Sequence, residues 1–148
     1  MEIAGEHRFQ APRSAVWQAL LDPRALQASM PGCEKFEEVG RDSYDLTIRV
    51  GIAAIKGTYS GNVRVADPQP EDSYRLIVSG SGKPGSVQGD ATMTLIADGE
   101  ATLVRYTGEV KAQGAIARMG SRLLSGAAKL MIGQFFKAME KQVGQRTV

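Results

Sequence analysis

The segment Ile3 to Gln10 alternates Ile3, Gly5, His7 and Phe9 against Ala4, Glu6, Arg8 and Gln10, which is the period of a half-buried strand. Beyond it, Pro12 stands where a first helical turn tolerates proline, and Val16, Trp17, Leu20 and Leu21 keep helical spacing up to Asp22-Pro23. Asp22 is suited to cap a second short helix with Pro23 at its first position, running through Leu26 and Met30 until Pro31-Gly32 stops it. From Cys33 to Gly114 the period becomes two. Turn signals break it at Gly40-Arg41-Asp42, Gly51 to Ala54, Asp67 to Asp72, Lys83-Pro84-Gly85 and Asp98-Gly99, so six further strands are predicted. Connections this short imply an antiparallel meander, because parallel pairing needs crossovers of a dozen or more residues. Ala115 to Val143 then reads as one long helix, about 43 Å at 1.5 Å per residue.

One strand, two short helices, six strands and one long helix predict an α+β fold: a seven-stranded curved antiparallel sheet around the C-terminal helix, in a single domain over residues 1–148. Strand parity assigns the inner face. The third strand places Tyr44, Leu46, Ile48, Val50 and Ile52 inward, and the fourth Ile55, Gly57, Tyr59, Gly61, Val63 and Val65. The fifth contributes Tyr74, Leu76, Val78, Gly80 and Gly82, and the sixth Val87, Gly89, Ala91, Met93 and Leu95. The seventh contributes Val104, Tyr106, Gly108, Val110, Ala112 and Gly114. These last four strands mix bulky residues with Gly or Ala on the same face, where a close-packed interior calls for filled positions.

Two readings follow. The small residues leave a cavity for a ligand, or the glycines let the sheet bend and the helix approach closely. The first reading names a cavity formed by Ile48, Val50, Gly57, Tyr59, Gly61, Val78, Gly80, Gly89, Ala91, Met93, Tyr106, Gly108 and Val110 of the strands. From the helix it adds Ile116, Met119, Gly120, Leu123, Leu124 and Ala127. Successive 100° steps put these helix residues, apart from Met119, on one broad face with Met131, Gln134, Phe135 and Ala138. The opposite face carries Arg118, Arg122 and Lys129 in a stripe, then Lys137, Lys141 and Arg146, with Ile132 and Phe136 on or near it. It reads either as a solvated face or as a surface for anionic lipid or an acidic partner, formed by Arg118, Arg122, Lys129 and Phe136.

Composition narrows the partners. Across 148 residues, 43% hydrophobic and 23% charged positions are ordinary for a folded domain, and a net charge of +2 argues against nucleic-acid binding. The single cysteine, Cys33, forms no internal disulfide, and no His/Cys spacing suits a metal. Charges at Glu2, Glu6 and Arg8 stand where a signal peptide needs an apolar core, so a cytoplasmic location is expected. No stretch of about 18 apolar residues is present, which leaves membrane contact to the surface. His7 is the only histidine and reads as a structural residue; Asp90 and Glu109 point outward, and Ser81, Ser86 and Cys33 lack a nearby base. The glycine run Gly80 to Gly85 precedes a strand rather than the helix that a phosphate loop requires. A non-enzymatic binding role is therefore expected, with no catalytic residues and no metal site.

Four runs occur in order: Met30-Pro31-Gly32-Cys33-Glu34, Ile55-Lys56-Gly57-Thr58-Tyr59-Ser60-Gly61, Gly85-Ser86-Val87-Gln88-Gly89 and Gly120-Ser121-Arg122-Leu123-Leu124. Together they resemble the G subunit of the carbon monoxide dehydrogenase system over about residues 1–143. That family is similar to polyketide cyclase and lipid-transfer-like proteins of the helix-grip fold. The resemblance implies an accessory protein of molybdenum hydroxylases that binds a lipophilic quinone, menaquinone or ubiquinone, and helps recruit the oxidoreductase to the inner face of the cytoplasmic membrane. Its expected partners are a hydrophobic small molecule and molybdenum hydroxylase subunits, with no covalent cofactor. The alternative is a cyclase or hydratase acting on a hydrophobic substrate in the same cavity through His7, Tyr59 or Tyr106.

Overall fold

The computed structural model describes residues 1–52 and 55–147, the last two by backbone only. Alternating burial along Glu2–Phe9 makes the first strand, β1, and Phe9 closes it at 1% exposure. α1 (Arg13–Leu21) follows Pro12 and buries Val16, Ala19 and Leu20. α2 (Pro23–Ser29) begins as the sequence predicts, with the Asp22 carboxylate accepting from the Arg24 N–H at 3.0 Å and Pro23 in the first turn. Six strands follow: β2 (Cys33–Gly40), β3 (Ser43–Val50), β4 (Gly57–Gln69), β5 (Ser73–Gly82), β6 (Gly85–Asp98) and β7 (Ala101–Gln113). Of the turn expected at Gly51 to Ala54, Ala53 and Ala54 lie outside the described residues.

All pairings are antiparallel, and the sheet order is β1-β7-β6-β5-β4-β3-β2. β1 thus returns beside the last strand, while α1 and α2 carry the chain from one sheet edge to the other. The expected helix-grip architecture is the one observed, a curved sheet around a long C-terminal helix.

The long helix itself differs from expectation. Gly114–Met119 forms a 3-10 turn, and Gly114 and Gly120 at its two ends take φ +85° and +87°, conformations costly for any residue with a Cβ. The α-helix proper, α3, spans Ser121–Thr147. Because the chain breaks at Gly120, the angular phase of Ile116 does not carry into α3. Ile116 is buried at 1% exposure through its own turn, held by its N–H on the Pro84 carbonyl at 2.9 Å.

The inward face of α3 is accordingly rotated from the predicted one. Phe136, Met139 and Val143 are buried, whereas Leu123, expected inside, is 58% exposed, and Gln134 is exposed too. Phe136 and Ile132 therefore do not belong to the basic surface. Phe136 packs in the main core, where its ring stacks with His7 and Tyr106 at centroid distances of 5.2 and 5.8 Å.

Two apolar clusters result. The larger joins Phe9, Val16, Leu20, Leu26, Tyr74 and Leu95 to the C-terminal half of α3. Among the described residues the smaller has Val50, Tyr59 and Ile116 buried, with partly buried neighbours that include Leu124 and Met131 near the N-terminal half of α3.

Candidate functional site

Between the two clusters lies an apolar cavity of about 340 Å³, walled by the concave face of the sheet and by α3. β3 supplies Ile48 and Val50, β4 Tyr59, β5 Val78 and Gly80, and β6 Gly89, Ala91 and Met93. β7 supplies Tyr106 and Val110; Ile116, Leu124 and Ala127 complete the expected lining. Sequence reasoning missed Met1 and Ile3 on the β1 side and Ile132, Phe135 and Phe136 on α3. The strand parity of Ile3 offered a signal for the first group and the helical phase already placed Phe135 on the inward face, whereas Ile132 and Phe136 were hidden by the phase error at Gly120.

Six predicted residues lie elsewhere. Gly61 and Gly108 serve close backbone approach: a Cβ at Gly61 would sit 1.8 Å from the Ser79 carbonyl oxygen, and one at Gly108 2.4 Å from that of Asp90. A Cβ at Gly57 would lie 3.4 Å from Pro84, and Gly120 forms the exposed helix break. Met119 and Leu123 line a separate surface groove of about 230 Å³ with Arg122 and Leu130. Ile55 and Ala127 border both the groove and the cavity, so the two adjoin. Gly80 and Gly89 do face the cavity: nothing lies within 4 Å of a Cβ added at Gly80, while one at Gly89 would meet Val78 Cγ2 at 2.9 Å.

Polar groups are few in this lining. Ser79 and Asp90 have outward parity, and the Asp90 carboxylate pairs with Arg75 on the convex face. The Tyr59 hydroxyl donates to the Ile55 carbonyl at 2.6 Å. Tyr106, 8% exposed, lies against β1, where a Cβ at Gly5 would come 2.4 Å from its hydroxyl oxygen. Burial raises both phenols above the ordinary tyrosine range, so each is a neutral donor at physiological pH. His7 lies outside the lining; its Nε2 is 2.5 Å from Glu140 Oε1, and its ring stacks on Phe136. Cys33, partly buried, donates to the Lys35 carbonyl, and burial pushes its thiol up. Among the described residues no three His, Cys, Asp or Glu side chains gather to hold a metal.

Around the surface groove, Arg118, Arg122 and Lys129 are exposed, as the sequence suggested, beside Leu123 and half-exposed Leu130. The side chain of Arg146 lies outside the described residues. Among the described residues no helix is long and apolar enough to cross a membrane.

Residues 5–144 match the sequence profile of the carbon monoxide dehydrogenase G subunit, CoxG. The chain belongs to the CoxG family. A crystal structure of a conserved protein from Geobacillus kaustophilus is 34% identical to this CoxG-family chain, with a TM-score of 0.94 over 98% of this chain and 96% of that one. A START superfamily protein from Mycobacterium smegmatis is 12% identical with a TM-score of 0.77, each chain covered to 97%. A protein from Thermus thermophilus, 16% identical, gives 0.76 over the whole of both chains. The latter two likenesses concern the fold alone, and the first of them shows that the architecture is shared with a START superfamily protein. No curated protein matches the chain significantly. CoxG membership supports a ligand-binding accessory protein of the carbon monoxide dehydrogenase system.

Proposed function

We propose that this CoxG-family chain carries a respiratory quinone, menaquinone or ubiquinone, in the cavity between its two apolar clusters and couples a molybdenum hydroxylase of the carbon monoxide dehydrogenase type to the membrane. The cavity carries this reading. At about 340 Å³ it stands near the lower end of the roughly 300–1,000 Å³ typical of small-molecule sites. That volume suits a ring system and the start of an isoprenoid chain, and the adjoining groove at Ile55 and Ala127 offers the remainder an apolar path outward. Carrying is favoured over transforming because the side-chain polarity of the lining comes down to two phenols, whereas an active site needs several donors and acceptors aimed at one point.

The exposed apolar residues Leu123 and Leu130 beside Arg118, Arg122 and Lys129 suit peripheral contact with an anionic leaflet from the cytoplasmic side. Solvent extraction of protein purified from its native host, followed by mass spectrometry, is expected to release a quinone in stoichiometric yield. Gly80→Leu is expected to abolish this yield while the protein stays folded, because the new side chain enters open space. A quinone-free wild type that also fails to take up added quinone refutes the proposal.

A further inference from the structure

The two phenols of the cavity are not equivalent. Tyr59 has its hydroxyl committed to the Ile55 carbonyl and thereby ties Ile55 to the wall. Tyr106 is as deeply buried, yet among the described residues its hydroxyl has no hydrogen-bond partner. Among the described residues no sealed side-chain oxygen lacks a partner, so the Tyr106 hydroxyl is not shut in but reachable, and it is free to donate to a small molecule that enters the cavity. The surroundings of the ring describe that ligand. Tyr106 stacks with Phe136 at 30° between planes, and Phe135 and Phe136 both line the cavity. Aromatic walls of this kind suit a flat conjugated ring.

The position of Tyr106 also gives a direction. Its register row runs Gly5, Tyr106, Met93, Tyr74. On β6, Met93 stands eight residues from Gly85, about 26 Å at 3.3 Å per residue, and Gly85 belongs to the end where Pro84 meets Ile116. Ile55 and Ala127, shared with the surface groove, lie toward that second end together with Tyr59 and Ile116.

We infer that Tyr106 is the polar anchor of the cavity, donating its hydroxyl hydrogen to a carbonyl or hydroxyl oxygen on a flat ring, with the apolar chain of the ligand directed toward Ile55 and the groove. This rests on the proposed ligand-carrying role and adds which oxygen chemistry is recognised, by which residue and in which orientation.

The test uses the full chain and two probes of matched shape, 2-methyl-1,4-naphthoquinone and 2-methylnaphthalene, with dissociation constants from calorimetry or equilibrium dialysis. The wild type is expected to prefer the quinone. Tyr106→Phe is expected to weaken the quinone about tenfold, the worth of one hydrogen bond, while the hydrocarbon stays within about twofold. The unchanged hydrocarbon affinity certifies a folded cavity. Tyr74→Phe, in the main core and away from the lining, is expected to leave both constants unaltered. A Tyr106→Phe variant that binds the quinone as the wild type does overturns the anchor and leaves the carrier reading standing. Failure of both probes on the wild type overturns both.

Discussion

Gly61 and Gly80 face one another in register across β4 and β5, yet alanine at the two positions is expected to act in opposite directions. A Cβ at Gly61 would lie 1.8 Å from the Ser79 carbonyl oxygen, 2.6 Å from its carbon and 2.7 Å from the Gly80 Cα. These are backbone atoms, so relief requires the ladder itself to open by more than an ångström. Overpacking of this kind costs about 1–3 kcal/mol, and a weakened pair of ladder hydrogen bonds adds about 1 kcal/mol each. Gly61→Ala is therefore expected to destabilise by about 3–4 kcal/mol. Gly80 meets nothing within 4 Å and has no positive φ, so alanine there restricts the unfolded chain without a clash. A gain of about 0.4–1 kcal/mol follows. Urea titration read by far-ultraviolet circular dichroism should separate the two midpoints by about 2 M, for a slope near 2 kcal/mol per M. Coincident midpoints, or a worse Gly80 variant, would refute the assignment of one glycine to sheet bending and the other to open cavity.

Phe136→Ala removes a ring that is 2% exposed and is expected to cost about 3–5 kcal/mol in denaturant unfolding, whereas Leu123→Ala should stay within about 0.5 kcal/mol; the reverse order would restore the helix face expected from the sequence. Burial raises the Tyr74 phenol well above its ordinary value of about 10, so the folded state resists losing that proton more than the unfolded state does. The stability tied to this phenol is complete below about pH 10 and is lost as pH rises beyond it, by at most about 1.4 kcal/mol per pH unit. Tyr74→Phe should flatten that alkaline decline, and an unchanged decline would show that other groups cause it. Amide exchange within α3 is expected to be faster over Leu124–Leu130 than over Phe136–Val143, because only the latter segment is sealed into the main core; uniform protection would argue against the division.

Local pattern made most of the fold legible. Period-two alternation marked the strands apart from β2, whose burial does not alternate, and Asp22-Pro23 marked the start of α2 through a capping interaction that involves only neighbouring residues. The break at Gly120 was invisible because the residues around it keep an acceptable helical spacing, and nothing in the pattern requires φ +87° there. From that one glycine came both the misplaced Leu123 and the misassigned Phe136. The candidate site divided along the same line. Val78, Gly80, Met93 and Tyr106 line the cavity as parity demands, since parity is a property of a single strand. Gly61 shares that parity and belongs to another task, because how far β5 leans over β4 depends on curvature summed across the sheet.

The cavity itself follows from unequal side chains along one helix. At its C-terminal half α3 presents Phe136, Met139 and Val143, which reach β1, α1 and α2 and settle how far the helix stands from the sheet. At its N-terminal half it presents Ala127 and Ala128 across from Gly80, Gly89 and Ala91, which are too small to close the same distance. A rigid helix held off by aromatics at one end cannot dip at the other without bending, and the sheet below is fixed by its ladders. The space is thus imposed by the well-packed end rather than being a defect of the thin one. Filling it through Gly80 should leave the main core untouched, which makes stability and ligand capacity separable in this fold.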